Sequence, residues 1–289
     1  MHVIARRLLS PASVSLLVAI ILFTASAPGV SSVSAASPAT DRESLWTQRC
    51  LAWERITTPN TACVYGDRTS RVVVALVGDS HASHLFPALD RIARAHHWKL
   101  VVLVKVSCGF IDSRIRNIAL GREYRECATW NRNVVKRLGV LRPALTLVAM
   151  SRRAVHAVRS SDGTDGAKGR SLARMIAQVP GRVAVIVDAP FARINVPACI
   201  ASRGASRCAI PRSTALSSGL GSIERTAASW SGASLIDLTS ATCASWPCPV
   251  VVHGITVFRD MEHFTATFSR NVLGSPGGAL DTALVRLLP

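Results

Sequence analysis

The chain is poor in aromatic residues and in acids. Aromatics make up 5% of its 289 residues, with only two tyrosines. No basic run is interleaved with aromatics in the way a single-strand groove requires, so nucleic acid is not an expected partner. Asp and Glu total 17 against 34 Lys and Arg, a formal charge of +17, and nearly all the positive residues are Arg. This surplus reads as solvated basic surface; the functional counterpart is attraction to anionic envelope polymers or lipid headgroups. Beyond the first 35 residues no run is long and apolar enough to cross a membrane. No Cys-x-x-Cys occurs, which weakens a metal reading of the cysteines. No internal repeat is visible, and no cofactor is expected.

What is present begins with targeting material. Residues 1–35 carry Arg6 and Arg7, an apolar stretch from Val14 to Phe23, and small residues at Val33-Ser34-Ala35. This is the pattern of a cleavable secretory signal; an uncleaved N-terminal anchor is the alternative. Eight cysteines follow, an even number suited to an oxidising compartment. They fall as neighbours: Cys50 and Cys63, Cys108 and Cys127, Cys199 and Cys208, Cys243 and Cys248. Eight cysteines allow 105 pairings. Pairing between neighbours is the simplest, because each bridge then closes a short loop.

Residues 36–70 are polar and irregular and read as a disulfide-stapled N-terminal extension. From residue 71 to 289 the pattern alternates. Apolar runs at Val72–Val77, Leu100–Val106, Ala144–Met150, Val183–Asp188 and Leu235–Leu238 predict strands. Helical spacing is found at Leu85–His96, Glu123–Leu138 and Leu172–Gln178, the last after a Gly-rich loop, Ser160–Gly169. Strands that are apolar throughout and separated by helices predict an α/β domain, its parallel sheet covered on both faces, with ligands at the strand carboxyl ends. Two irregular inserts, Pro190–Pro211 and Ser240–Arg259, follow strands and are expected on that same side, where they either shape a cleft or serve only as stapled loops.

Chemistry concentrates at Gly78-Asp79-Ser80-His81, where the first apolar run gives way to a helical pattern. A serine on that turn has an exposed hydroxyl near free helix N–H groups, which can stabilise an oxyanion. Far downstream stands Asp260-Met261-Glu262-His263. His263 as base and Asp260 as its orienting acid would complete a Ser80 triad. The competing readings are local. Ser80 could cap a helix, and Asp260-x-x-His263 could cap one beginning near Glu262. Asp79 reads as structural. His253 is a rival base. His81 and His84 share a helix face, but no third ligand is suggested, so no metal site is expected. Arg152 and Arg153 read as solvated charge, or as contacts to an anionic or sugar substrate.

These residues resemble the SGNH/GDSL hydrolase superfamily. More narrowly, they resemble the SGNH domain that accompanies membrane acyltransferase-3 proteins, which O-acylate envelope glycans. The likeness runs from about Cys50 to the C-terminus. It includes Lys105 with Cys108, Cys127 with Trp130, and Cys243 with Cys248 ahead of Asp260. The resemblance implies a three-layer flavodoxin-like fold, with Ser80 as nucleophile, His263 as base and Asp260 as its partner. It further implies an oxyanion hole from backbone N–H groups, for which Ser80 and Gly109 are the candidates. The superfamily's oxyanion Asn has no counterpart at Met150-Ser151-Arg152-Arg153. The expectation is an exported serine esterase or O-acyltransferase acting on acyl esters of envelope glycans. A separate membrane protein would have to supply any acyl donor from across the membrane. The alternative is a non-catalytic module that keeps the fold and binds envelope polymer.

Overall fold

The computed structural model describes residues 37–217 and 219–288; residues 1–35, the segment expected to be a secretory signal or anchor, lie outside them. Residues 36–289 form one compact unit. Its strands in chain order are β1 (Leu51–Ala52), β2 (Val64–Gly66), β3 (Val73–Gly78), β4 (Lys99–Lys105), β5 (Ile115–Asn117), β6 (Arg122–Glu123), β7 (Leu145–Ala149), β8 (His156–Ala157), β9 (Arg182–Ile186), β10 (Ser234–Ile236), β11 (Val251–Val252) and β12 (Ile255–Thr256). The helices are α1 (Ser80–Ser83), α2 (Phe86–Ala95), α3 (Arg125–Leu141), α4 (Asp165–Ile176), α5 (Val196–Arg203), α6 (Arg212–Ala215), α7 (Ser222–Ser231), α8 (Thr239–Thr242), α9 (Ala266–Phe268) and α10 (Ala279–Leu287).

The central sheet runs β4-β3-β7-β9-β10, every neighbouring pair parallel. Numbered among themselves these strands stand in the order 2-1-3-4-5 of a flavodoxin-like sheet, whose direction of winding reverses between β3 and β7. The free edge of β4 carries β1, parallel, and β2, antiparallel. The sheet is buried on both faces because successive side chains alternate. Val74 and Leu76 of β3 enter one apolar layer with Leu89 and Ile92 of α2. Ala75 and Val77 enter the other with Val134 and Leu138 of α3 and Leu172 of α4. This is the three-layer α/β arrangement that the unbroken apolar runs predicted.

Residues 37–70 do more than lie on the surface. Besides supplying β1 and β2, they send the buried Glu43 carboxylate beneath α1, where it accepts the Ser83 hydroxyl at 2.6 Å and faces Arg259 at 3.8 Å. The cysteines are bonded 50–63, 108–127, 199–208 and 243–248.

One segment departs from its sequence reading. The glycine-rich stretch 160–169 is not a loop throughout, because α4 begins inside it. The Thr164 side chain accepts the Ala167 N–H and starts the helix, and Gly169 lies buried in it. A Cβ on Gly169 would sit 2.5 Å from the Thr226 Cβ and 2.8 Å from the Ile223 carbonyl oxygen. The glycine is there for the close crossing of α4 and α7, not for a turn.

Candidate active site

The site assembles where β3 and β7 end, at the reversal point of the sheet. β3 delivers its last residue, Gly78, at φ +144. A Cβ there would lie 1.7 Å from the Ala149 carbonyl oxygen of β7, so only glycine fits. The chain then turns into α1. Asp79 is fully buried and caps that helix by accepting the His81 N–H at 2.8 Å. Its two carboxylate oxygens also accept the Ser151 N–H, at 3.1 and 2.9 Å. Asp79 thus ties the end of β7 to the turn that presents Ser80, the structural role read for it in the sequence. Ser80 itself is the first residue of α1, where backbone N–H groups have no partner within the helix.

His263 and Asp260 arrive from the other end of the chain. The loop that carries them is held by the Phe258–Phe264 bridge and by the Arg259 N–H donating to the His263 carbonyl at 2.9 Å. Asp260 does not cap a helix. Its Oδ1 accepts the N–H groups of Glu262 and His263, both at 2.8 Å, which folds the loop on itself. The next helix is α9, capped by Thr265. Residues of the Pro190–Pro211 insert brace this loop, as Ala192 N–H donates to the Met261 carbonyl at 2.9 Å.

The result is a relay of three side chains. The Ser80 hydroxyl donates to His263 Nε2 at 3.0 Å, and His263 Nδ1–H donates to Asp260 Oδ2 at 2.8 Å. Burial alone would raise the Asp260 carboxyl, but the hydrogen bonds and charge of His263 outweigh it and hold the group well below the usual range. Asp260 is therefore an acceptor at any physiological pH. It fixes the imidazole with its proton on Nδ1 and leaves Nε2 to take the serine proton. His253, the rival base, sits exposed at the turn between β11 and β12, with φ +49.

A second histidine–carboxylate pair adjoins the first. The side chains of His81 and Asp188 are only 5% and 7% exposed, with His81 Nδ1 at 2.5 Å from Asp188 Oδ1. Burial opposes charge on His81, but Asp188 dominates and raises it to about 9, so the ring is an imidazolium near neutrality. The His81 and His263 rings lie 4.9 Å apart between centroids. His84 does not join them as a ligand. Its Nδ1 accepts the Phe264 N–H at 3.4 Å, and burial, followed by the positive charge of His81 and of Arg259, keeps it neutral, well below the usual histidine range.

Ser80, His81 and His263 open onto a cleft of about 390 Å³. Its further walls are Ser107 after β4, Arg116 to Ala119 on the β5–β6 hairpin, and Ser151, Arg153 and His156 after β7. Neither irregular insert lines it. The hairpin and the segment leading to β8 do so instead, joined in a small antiparallel sheet of β6, β5 and β8. Arg152 turns away to Asp165, at 2.6 Å. Arg153 stays in the cleft wall, stacked over the Phe191 ring at 4.1 Å.

Gly109 is buried behind Ser107, its carbonyl accepting from Asn131 Nδ2 at 2.9 Å. A Cβ on it would lie 2.4 Å from Val155 Cγ1. Two residues of the site were missed in the sequence, Asp188 and Glu262. Asp188 lies two residues past β9, where a carboxylate after an apolar run is a usable signal. Glu262 lies inside Asp260-x-x-His263, where it reads as a spacer and gives no separate signal.

The family model described as the SGNH domain fused to AT3 domains matches residues 49–274. The structure of the periplasmic domain of a lipopolysaccharide acetyltransferase from Salmonella ser. Paratyphi A is similar in fold, with a TM-score of 0.58 and 17% identity. That similarity covers 76% of this chain and 85% of the other. No curated protein matches.

Proposed function

This chain belongs to the family of SGNH domains fused to AT3 domains, and from that premise we propose that it is an exported serine esterase or O-acyltransferase working on acyl esters of cell-envelope glycans. The observation that carries the reading is the hydrogen-bonded series Ser80, His263, Asp260, opening on a cleft at the strand carboxyl ends.

The chemistry follows from the atoms. The Ser80 Oγ attacks the acyl carbonyl as its proton passes to His263 Nε2. The tetrahedral oxyanion is met by the backbone N–H of Ser80 at the start of α1; Gly109, the second expected donor, is buried and does not line the cleft. Collapse expels the alcohol, which recovers the proton from His263, and leaves an acyl group on Ser80. Water or a sugar hydroxyl, deprotonated by the same nitrogen, then accepts the acyl group. Asp260 stays ionised throughout and stabilises the imidazolium formed in each half-reaction.

Several features support an envelope setting. Four disulfides suit an oxidising compartment. Arg116, Arg153 and Asn117 give the cleft the polar, cationic lining that a glycan with anionic substituents would meet. The related periplasmic domain belongs to an acetyltransferase that acts on lipopolysaccharide. An acyl donor from a separate membrane acyltransferase is the partner this reading calls for. The test is turnover of short acyl esters by the wild-type chain, lost in folded Ser80→Ala.

A further inference from the structure

Two histidines at this site share an uncommon arrangement. Each has its Nδ1 engaged by a carboxylate, His81 by Asp188 and His263 by Asp260. Each therefore has only Nε2 to offer the cleft. His263 Nε2 holds the Ser80 hydroxyl. His81 Nε2 is buried and has no hydrogen-bond partner, although His81 as a whole is only 4% exposed. Between them in the cleft wall stands Glu262, whose buried Oε2 also has no hydrogen bond. The nearest cation to it is the Arg153 guanidinium, at 3.5 Å. One ligand atom from each of His81, Glu262 and His263 lies within 4.8 Å of the other two.

That is a donor set of two imidazoles and one carboxylate with open positions facing a cleft, the composition that borderline divalent transition metals favour. The outer partners match as well. Histidines that bind metals commonly give their other N–H to a carboxylate, which fixes the tautomer and strengthens the ligand. We propose that His81, Glu262 and His263 form a binding site for a zinc-class divalent cation, and that occupation of this site switches the serine off.

Zinc bonds of roughly 2.0–2.1 Å in tetrahedral array set ligand atoms about 3.3 Å apart. Closing the three groups onto an ion therefore asks for a movement of at most about 1.5 Å. Glu262 can supply most of it by side-chain rotation, since it is only partly buried. The ion replaces a proton on His81 Nε2 and supplies the positive charge that Asp188 already attracts there. It also takes the His263 Nε2 lone pair. The Ser80 hydroxyl then loses its base and is left as a neutral fourth ligand or displaced. No bond in a substrate is made or broken, and the effect reverses when the metal is removed.

The binding claim stands apart from catalysis; only the switching claim rests on the proposed function. The test has two arms, both on the exported chain stripped of metal. In the first, zinc is titrated by calorimetry. We expect one equivalent per chain in wild type and in Ser80→Ala. Affinity should fall at least tenfold in His81→Ala, in the bulkier His81→Gln and in Glu262→Gln. Asp188→Asn should weaken it by roughly 10–100-fold through the outer partner. Substitution of the exposed His253 by Ala should change nothing. In the second arm, labelling of Ser80 by a fluorophosphonate is timed with and without zinc. Zinc should slow wild-type labelling and a chelator should restore it. Whatever residual labelling His81→Gln shows should be insensitive to zinc. Absence of stoichiometric binding, or binding that survives both His81→Gln and Glu262→Gln in folded protein, overturns the site. Stoichiometric binding with unaltered labelling overturns the switch. A chain that binds zinc but never labels, even metal-free, contradicts the serine-enzyme reading and leaves the metal site standing.

Discussion

Asp260→Asn isolates what the carboxylate does, because most of its geometry survives the change. In the native chain Oδ1 accepts two backbone N–H groups and Oδ2 accepts His263 Nδ1–H, each at 2.8 Å. An asparagine can keep its oxygen on the two backbone donors, so the loop stays folded. Its NH₂ then faces Nδ1. Two donors cannot share that contact, so the imidazole turns to the tautomer with its proton on Nε2. Nε2 now donates toward Ser80 and has no lone pair to take the serine proton. The equivalent substitution in a serine protease, which also preserves geometry, lowers kcat by about 10⁴. At ~1.36 kcal/mol per decade that is about 5.4 kcal/mol of transition-state stabilisation. The same loss is expected here in kcat for a short p-nitrophenyl ester, with the thermal midpoint nearly unchanged. A loss below tenfold in folded protein would mean that Asp260 does not set the tautomer, and the assignment of His263 as base would fall with it.

Two further outcomes concern the scaffold. Glu224 is buried beside Asp188, and burial first, then the Asp188 charge, raises it to about 8 from an ordinary 4.5. The folded chain holds this proton where the unfolded chain has lost it, so its contribution is complete below about 4.5 and vanishes as pH rises through about 8. Denaturant midpoints should therefore fall between pH 5 and 8, and Glu224→Gln should flatten that slope; an unchanged slope refutes the burial argument. Cys108 and Cys127 join the turn after β4 to α3 across 19 residues, and replacing both with Ala should cost about 3 kcal/mol, read as a lower thermal midpoint, whereas an unchanged midpoint would show that α3 holds that turn without the bridge.

The parts of this molecule legible in the sequence are those whose cause is local. β3 and β4 announced themselves because a strand buried on both faces is apolar at every position, and observed boundaries lie within one residue of those read. Ser80 stood out because Gly78 must be glycine where β3 passes the Ala149 carbonyl, and that requirement shows in the sequence. Asp260 and His263 were legible because one turn of chain links them. What was hidden depends on contacts between distant segments. The first half of α4 was masked by a glycine that exists for its neighbour α7, while its second half was read as helix from Leu172. α7 itself, Ser222–Ser231, went unread because small and polar residues fill its sequence and its apolar face is narrow. Part of the cleft wall comes from the short strands β5 and β8 and the turn after β5, strands of two or three residues, too brief for any periodicity to register. Asp188 acquires its meaning only when the sheet brings the end of β9 beside α1, more than a hundred residues away in the chain.

The account's central claim is that Ser80 is an acylated nucleophile. The direct measurement is turnover of a short acyl ester by wild type and Ser80→Ala side by side, with a fluorophosphonate adduct mapped by peptide mass spectrometry. The account predicts turnover and a single adduct on the peptide containing Ser80 in wild type, and neither in a Ser80→Ala variant of native thermal midpoint. Equal turnover in the two proteins, or an adduct on any other residue, would contradict it.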